Sequence, residues 1–254
     1  MTGKEVSIVS LLGTPLVITD YQGLFGALSD WARRPGPTAA EFCNTQIVAM
    51  RRTDPGFMTA TSSYDYFIPD GMPLIWCLGA MGVRLRDRVY GPTFMRYTMT
   101  HEKEMKHYFL GGNEITSRKL IEKARILSDG RFQIVGANYR YSGPADSDAV
   151  VDEINRLSPD IVWIGLGTPK QQRWIHDNKH RIARGVLLTV GFAFDVNAGT
   201  KLDAPMWMQR LGLTWLFRLW CEPRRLFGRY LKYNSWFVFF CLLDLFRYFT
   251  KRAK

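Results

Sequence analysis

The sequence has no Cys-x-x-Cys pair, no internal repeat, no linker rich in Ser or Gly, and no uninterrupted apolar run of the roughly 20 residues that a membrane-spanning helix needs. Its four cysteines, Cys43, Cys77, Cys221 and Cys241, stand far apart with no histidine at ligand spacing. Neither a disulfide scaffold nor a zinc site is expected, and a reducing cytoplasm is the compartment that fits this usage. The fairly apolar stretch from Val6 to Ile18 is broken by Gly13 and Pro15 and lacks a basic start, so it reads as strand and turn rather than as a signal peptide. Gly-x-Ser-x-Gly, His-Glu-x-x-His, a Walker A loop and a kinase Lys/Asp set are also missing, which disfavours the familiar hydrolase, metalloprotease and kinase classes. No Asp-x-Asp is read as a chelator of a divalent ion on a nucleotide-sugar diphosphate. His176 and His180 stand at i, i+4 but sit beside Lys179 and Arg181, which reads as a solvated helix face rather than a metal site.

What is present suits one large globular domain, or one domain with an appendage: 254 residues, 46% of them hydrophobic and 14% aromatic. Disorder as the dominant state is excluded. The net charge of +11 is concentrated at one end, because Arg210 to Lys254 holds ten basic residues against Glu222 and Asp244. That tail contains Trp236 to Phe249, apolar except for Asp244 and Arg247 and too short to span. Two readings fit it: an interfacial helix, or a helix docked on the protein's own core or another subunit. The flanking Arg224, Arg225, Arg229 and Lys232 favour the membrane surface, where cationic side chains meet anionic headgroups. Nucleic acid ranks lower, since the aromatics are consecutive and no nucleic-acid-binding signature accompanies them.

Between Phe109 and Phe194, short β-rich apolar runs alternate with longer amphipathic stretches. The pattern predicts strands at Tyr108–Leu110, Phe132–Ala137, Ile161–Leu166 and Val186–Val190, and helices at Ile115–Leu127, Ala149–Leu157 and Gln171–Ile182. Upstream, Tyr21–Trp31 and Gly71–Gly79 read as helices, and Ala40–Asn44 as a strand end. The expected class is α/β, a Rossmann-like, mostly parallel sheet with flanking helices, plus a basic amphipathic helical C-terminal appendage. The expected division is a core over 1–207 and an appendage over 208–254.

In such a sheet, ligands gather where strands end and helices begin. Two glycine loops stand at such places: Leu110-Gly111-Gly112-Asn113, and Gly165-Leu166-Gly167-Thr168-Pro169-Lys170-Gln171. Each could cradle a diphosphate on backbone N–H groups, or be only a tight turn needing positive φ. Ile68-Pro69-Asp70-Gly71 has turn chemistry, yet it could equally present the Asp70 carboxylate at a cleft to take a proton from an attacking hydroxyl. Asn44 could hold a sugar hydroxyl or simply close a turn. Arg88 could meet a departing negative charge.

Taken in order, Asn44, Pro69-Asp70-Gly71, Arg88-Val89-x-Gly91, Phe109-Leu-Gly-Gly112, Gly165-x-Gly-Thr-Pro-Lys-Gln171, Gly191-x-x-Phe-Asp195, Ala204-Pro-x-Trp207 and Gly212-Leu-x-Trp-Leu-x-Arg218 resemble the WecG/TagA/CpsF glycosyltransferases, family 26 of the carbohydrate-enzyme classification. The resemblance runs from about Leu11 to Tyr230. It implies inverting transfer from a UDP-sugar to an undecaprenyl-diphosphate-linked saccharide at the cytoplasmic face of the bacterial membrane, with no metal or other cofactor. It further implies that Asp70 is the candidate base and that Asn44 lies in the active site. Gln171, the glycine loops and Asp195 would belong to the donor site, and Arg218, Arg224, Arg225 and Arg229 to a membrane-dependent lid over a diphosphate. Three positions depart from the family pattern: Gln172 for Glu, Asp203 for Arg, and Thr214 for Glu. The rival reading is a non-catalytic nucleotide-sugar or lipid-binding subunit of a polysaccharide assembly complex, with a nucleotide-sugar hydrolase as a third.

Overall fold

A computed structural model describes residues 7–252. The strands are β1 (Ile8–Leu11), β2 (Thr14–Val17), β3 (Gly36–Cys43), β4 (Tyr66–Pro69), β5 (Lys106–Gly111), β6 (Gln133–Asn138), β7 (Ile161–Gly165) and β8 (Arg184–Thr189). The helices are α1 (Tyr21–Ala32), α2 (Thr45–Thr53), α3 (Pro55–Ala60), α4 (Met72–Ala80), α5 (Gly91–His101), α6 (Glu114–Leu127), α7 (Ser147–Leu157), α8 (Lys170–Asn178), α9 (Ala193–Asn197), α10 (Met206–Arg210), α11 (Thr214–Cys221) and α12 (Pro223–Arg252). One sheet contains all eight strands in the order β1-β2-β4-β3-β8-β7-β5-β6. Among the described residues only the β1–β2 hairpin is antiparallel; the other pairs are parallel. The α/β expectation is met, and the predicted strands and helices recur within a few residues.

The central strands are apolar at nearly every position because helices cover both faces of the sheet. Along β7, Val162 and Ile164 enter one core with residues of α2, α7 and α8, whereas Ile161 and Trp163 enter the other with residues of α1, α5 and α6. A strand's period of two divides its side chains in this way. Glu41 breaks the pattern as a carboxyl group in the middle of β3 with only 1% of its surface exposed.

Of the two arrangements expected of the tail, the C-terminal helix takes the docked one and leaves its other face open. One face docks on the protein itself through the buried Leu226, Phe237 and Cys241. The Thr45 hydroxyl donates to Asn234 Oδ1 (3.0 Å), and Tyr248 donates to the Met81 carbonyl (3.0 Å). Asp244, which interrupts the apolar run, pairs with Arg52 at 3.1 Å. The other face leaves Phe227, Leu231, Val238, Phe239, Leu242 and Phe246 exposed. No helix among the described residues is long and apolar enough to cross a membrane.

One expectation is corrected here. Cys77 of α4 and Cys241 of α12 form a disulfide, although the cysteine spacing indicated none. A sequence separation of 164 conceals the pairing, and α12 folding back across α4 brings the two together. Cys43 and Cys221 are free thiols.

Asn44 ends β3 and starts α2. Its Oδ1 accepts from the backbone N–H groups of Gln46 (3.0 Å) and Ile47 (3.2 Å), an N-cap that satisfies two otherwise unpaired donors. Asn44→Asp should keep this cap, and Asn44→Ala should cost about 1 kcal/mol in urea unfolding. Equal stability of the alanine variant and the parent would show that the cap carries no weight.

Candidate active site

A cavity of about 690 Å³ opens at the carboxyl edge of the sheet, where β3, β4, β7 and β8 end. This is where an open α/β sheet offers a crevice to ligands. Its walls include Asn44 after β3, Asp70 after β4, Gly165 and Gly167 after β7, and Gly191 after β8. Its far side is built by α11 and α12, which contribute Thr214, Trp215, Arg218, Arg225, Arg229 and Tyr230.

Asp70 occupies the turn between β4 and α4. Its Oδ1 accepts from the Gly91 N–H at 3.1 Å, so the first residue of α5 fixes the carboxylate. Arg88 grips the same residue elsewhere: Nη1 donates to the Asp70 carbonyl (3.2 Å) and Nη2 to the Thr214 hydroxyl (2.9 Å), while the guanidinium lies 4.2 Å over the Tyr90 ring. The guanidinium is therefore close without forming an ion pair with the carboxylate. Burial prevails over Arg88 and the Gly91 N–H, and raises the Asp70 pKa to about 7. A carboxyl group poised there can exchange a proton near neutral pH.

Five cationic side chains line the cavity, Arg88, Lys201, Arg218, Arg225 and Arg229, against the carboxyls of Glu41, Asp70 and Asp195. Arg218 stacks 3.9 Å from the centre of the Phe192 ring, and its buried Nε has no partner. Arg225 pairs with Glu222, which Lys201 also meets at 3.1 Å. Such a surface suits a polyanionic ligand. Among the described residues no group of three or more His, Cys, Asp or Glu could hold a metal ion. One literal Asp-x-Asp does occur, Asp146-Ser147-Asp148. Its carboxylates serve the Ser142 N–H and Arg181, outside the cavity lining.

The structure brings Asn44, Asp70, Arg88, Gly165, Gly167, Gln171, Asp195, Arg218, Arg225 and Arg229 together around the cavity. It does not bring Gly111, Gly112, Pro169, Lys170 or Arg224 to that lining. Gly111 is a packing glycine: a Cβ there would lie 2.8 Å from the Gly165 carbonyl carbon. Gly112 faces Ser117 and Phe194, Lys170 and Arg224 are exposed, and Pro169 caps α8 from outside. Sequence reasoning missed Glu41, Tyr90 and Lys201. A lone charge inside the apolar run Thr38-Ala-Ala-Glu-Phe-Cys43 was the available signal for Glu41.

The three departures from the family pattern all reach the site's supporting network. Thr214 accepts from Arg88, Asp203 accepts from the Tyr90 hydroxyl at 2.7 Å, and Gln172 donates to Glu41 at 2.9 Å.

A doubly wound sheet whose carboxyl edge holds a half-buried acid beneath a cationic helical roof has the layout of an enzyme for an anionic ligand. The sequence matches the Glycosyl transferase WecG/TagA/CpsF family over residues 9–251, and the chain belongs to that family. It is similar to an N-acetylglucosaminyldiphosphoundecaprenol N-acetyl-beta-D-mannosaminyltransferase of Bacillus subtilis (strain 168), at 30% identity over 72% of this chain and 71% of the relative. Proteins of the same name from Bacillus spizizenii (strain ATCC 23059 / NRRL B-14472 / W23) and Staphylococcus aureus (strain NCTC 8325 / PS 47) are 28% and 24% identical. The first of these matches covers 72% of this chain and 70% of the relative, and the second 72% of each.

The raised Asp70 pKa sets the sign of a stability effect. Between the ordinary carboxyl pKa near 3.8 and about 7, the unfolded chain has released a proton that the folded protein retains, so stability falls as pH rises through that window. Asp70→Asn should therefore unfold at a higher temperature than the parent at pH 8, with the gap closing near pH 4. A destabilised asparagine variant at pH 8 would contradict the assignment.

Proposed function

We propose that this protein is an inverting glycosyltransferase moving a hexose-type sugar from a UDP-sugar to an undecaprenyl-diphosphate-linked saccharide, in bacterial cell-surface polysaccharide or exopolysaccharide synthesis. The carrying observation is the Asp70 carboxylate: it lines the cavity, is fixed by Gly91, and is poised near neutrality. The names of the relatives support the lipid-linked acceptor.

The chemistry is a single in-line displacement. The acceptor hydroxyl attacks the anomeric carbon, its proton passes to Asp70, and the bond from that carbon to the diphosphate oxygen breaks, so UDP leaves from the opposite face. Negative charge accumulating on the diphosphate is met by Arg88, Arg218, Arg225, Arg229 and Lys201, and by N–H groups of the 165–168 loop other than that of Gly167, which Gln171 holds. This set of cations supports a metal-independent reaction. Asn44, with its oxygen committed to the α2 cap, offers its amide N–H groups to a sugar hydroxyl.

The exposed Phe227, Leu231, Val238, Leu242 and Phe246 follow helical spacing along α12, the first three at the cavity and the last two beyond it. With the neighbouring Arg224 and Lys232 they support peripheral attachment to the cytoplasmic face of the inner membrane, with the cavity's roof against the bilayer that holds the acceptor. Phe239→Ser/Leu242→Ser/Phe246→Ser should lose sedimentation with anionic phospholipid vesicles by tenfold or so while keeping the parent's circular dichroism. Undiminished vesicle binding would remove the membrane role of this face.

UDP release should be measured with the full-length protein, in membranes containing undecaprenyl-diphosphate-linked sugars, across a panel of UDP-hexoses with EDTA present. Release with one donor, dependent on the lipid acceptor and reduced about 10²–10⁴-fold in Asp70→Asn with UDP binding kept, is the expected result. Saturable UDP binding with no release from any donor would instead identify a binding subunit.

A further inference from the structure

Beneath the cavity a second carboxyl group has no part in the displacement. Glu41 lies in mid-strand on β3 with no cation in hydrogen-bonding contact; its partners are all neutral. Oε2 accepts from the Thr189 hydroxyl of β8 (2.7 Å) and from the Gln172 amide (2.9 Å), and Oε1 faces the Gln171 amide nitrogen at 3.5 Å. Gln172 also donates to the Thr168 hydroxyl (3.3 Å), and the Gln171 oxygen accepts the Gly167 N–H (3.1 Å). An ionised carboxyl group only accepts hydrogen bonds, so it turns the NH₂ of each glutamine toward itself. For Gln171 this leaves the amide oxygen as the end that reaches Gly167.

Resting on the reading of the cavity as a UDP-sugar site, we propose that Glu41 is a positioning residue for the donor: by fixing the orientation of the Gln171 amide, it holds the 165–168 loop in its ligand-binding shape. Glu41 sits at the cavity floor, and its hydrogen-bonding contacts there are with Gln171, Gln172 and Thr189. A glutamate at position 172 would set a second carboxylate against it, and the glutamine found there accepts this arrangement. The carboxyl group is ionised above its pKa of about 7, so the test belongs at pH 8.

Glu41→Gln keeps the shape of the side chain but turns one acceptor into a donor, and Gln171→Met removes the link. Amide exchange of Gly167, read by NMR on the full chain without ligand, should accelerate about five- to tenfold in both variants, the equivalent of one hydrogen bond, with global stability equal to or above the parent's for Glu41→Gln. The KM for the UDP-sugar should rise about tenfold, with the KM for the lipid acceptor unchanged. Unchanged Gly167 exchange in Glu41→Gln overturns the proposal. So does faster exchange with an unaltered donor KM, or an equal loss for both substrates accompanied by lowered stability, which marks a purely structural role. If the parent neither binds nor turns over any UDP-sugar, the donor-site reading has failed, and the exchange result still decides whether Glu41 holds the loop.

Discussion

The site depends on a carboxylate that is desolvated without being neutralised. Arg88 lies beside Asp70, yet its Nη1 and Nη2 donate to the Asp70 carbonyl and the Thr214 hydroxyl rather than to the carboxylate. An ion pair in that place would hold the carboxyl group far below neutrality and make it a poor base. Held instead by a single Gly91 N–H, Asp70 keeps capacity for a proton. The penalty falls on folding, because the protein carries a half-buried acid that would be more comfortable fully exposed.

The rest of the architecture serves that arrangement. Parallel strands buried on both faces bring β3, β4, β7 and β8 to one edge, and each ends in a residue or loop that the site uses. The C-terminal helices close the far side and bring Arg218, Arg225 and Arg229 over the cavity, while Leu226, Phe237 and Cys241 seat α12 on the core. A helix with one docked face and one exposed aromatic face can join a lipid surface to a site without crossing the bilayer. The tail is thus continuous with the core's packing, and the Cys77–Cys241 disulfide ties it to α4, the helix that follows Asp70.

Much of this was legible in the residues. Apolar runs such as Ile161–Ile164 marked buried parallel strands, and Pro69-Asp70-Gly71 marked a turn at a strand end. Long-range geometry was not legible. Gly111 and Gly165 look alike in sequence, but only Gly165 lines the cavity, since Gly111 is needed for close approach of two backbones. Lys170 belongs to a glycine loop in sequence, whereas the first turn of α8 leaves it exposed and buries Gln171 and Gln172. The Cys77–Cys241 pairing and the Glu41 network join segments more than 100 residues apart, beyond the reach of local spacing.

The most direct test of a desolvated but un-neutralised base is the titration of Asp70 itself. In protein labelled with ¹³C at the aspartate carboxyl carbon, one resonance, assigned by its loss in Asp70→Asn, should titrate at about pH 7 in the ligand-free state. A midpoint near 4 would mean that Arg88 or solvent neutralises the carboxylate after all, and the role of Asp70 as a base at neutral pH would lose its physical ground.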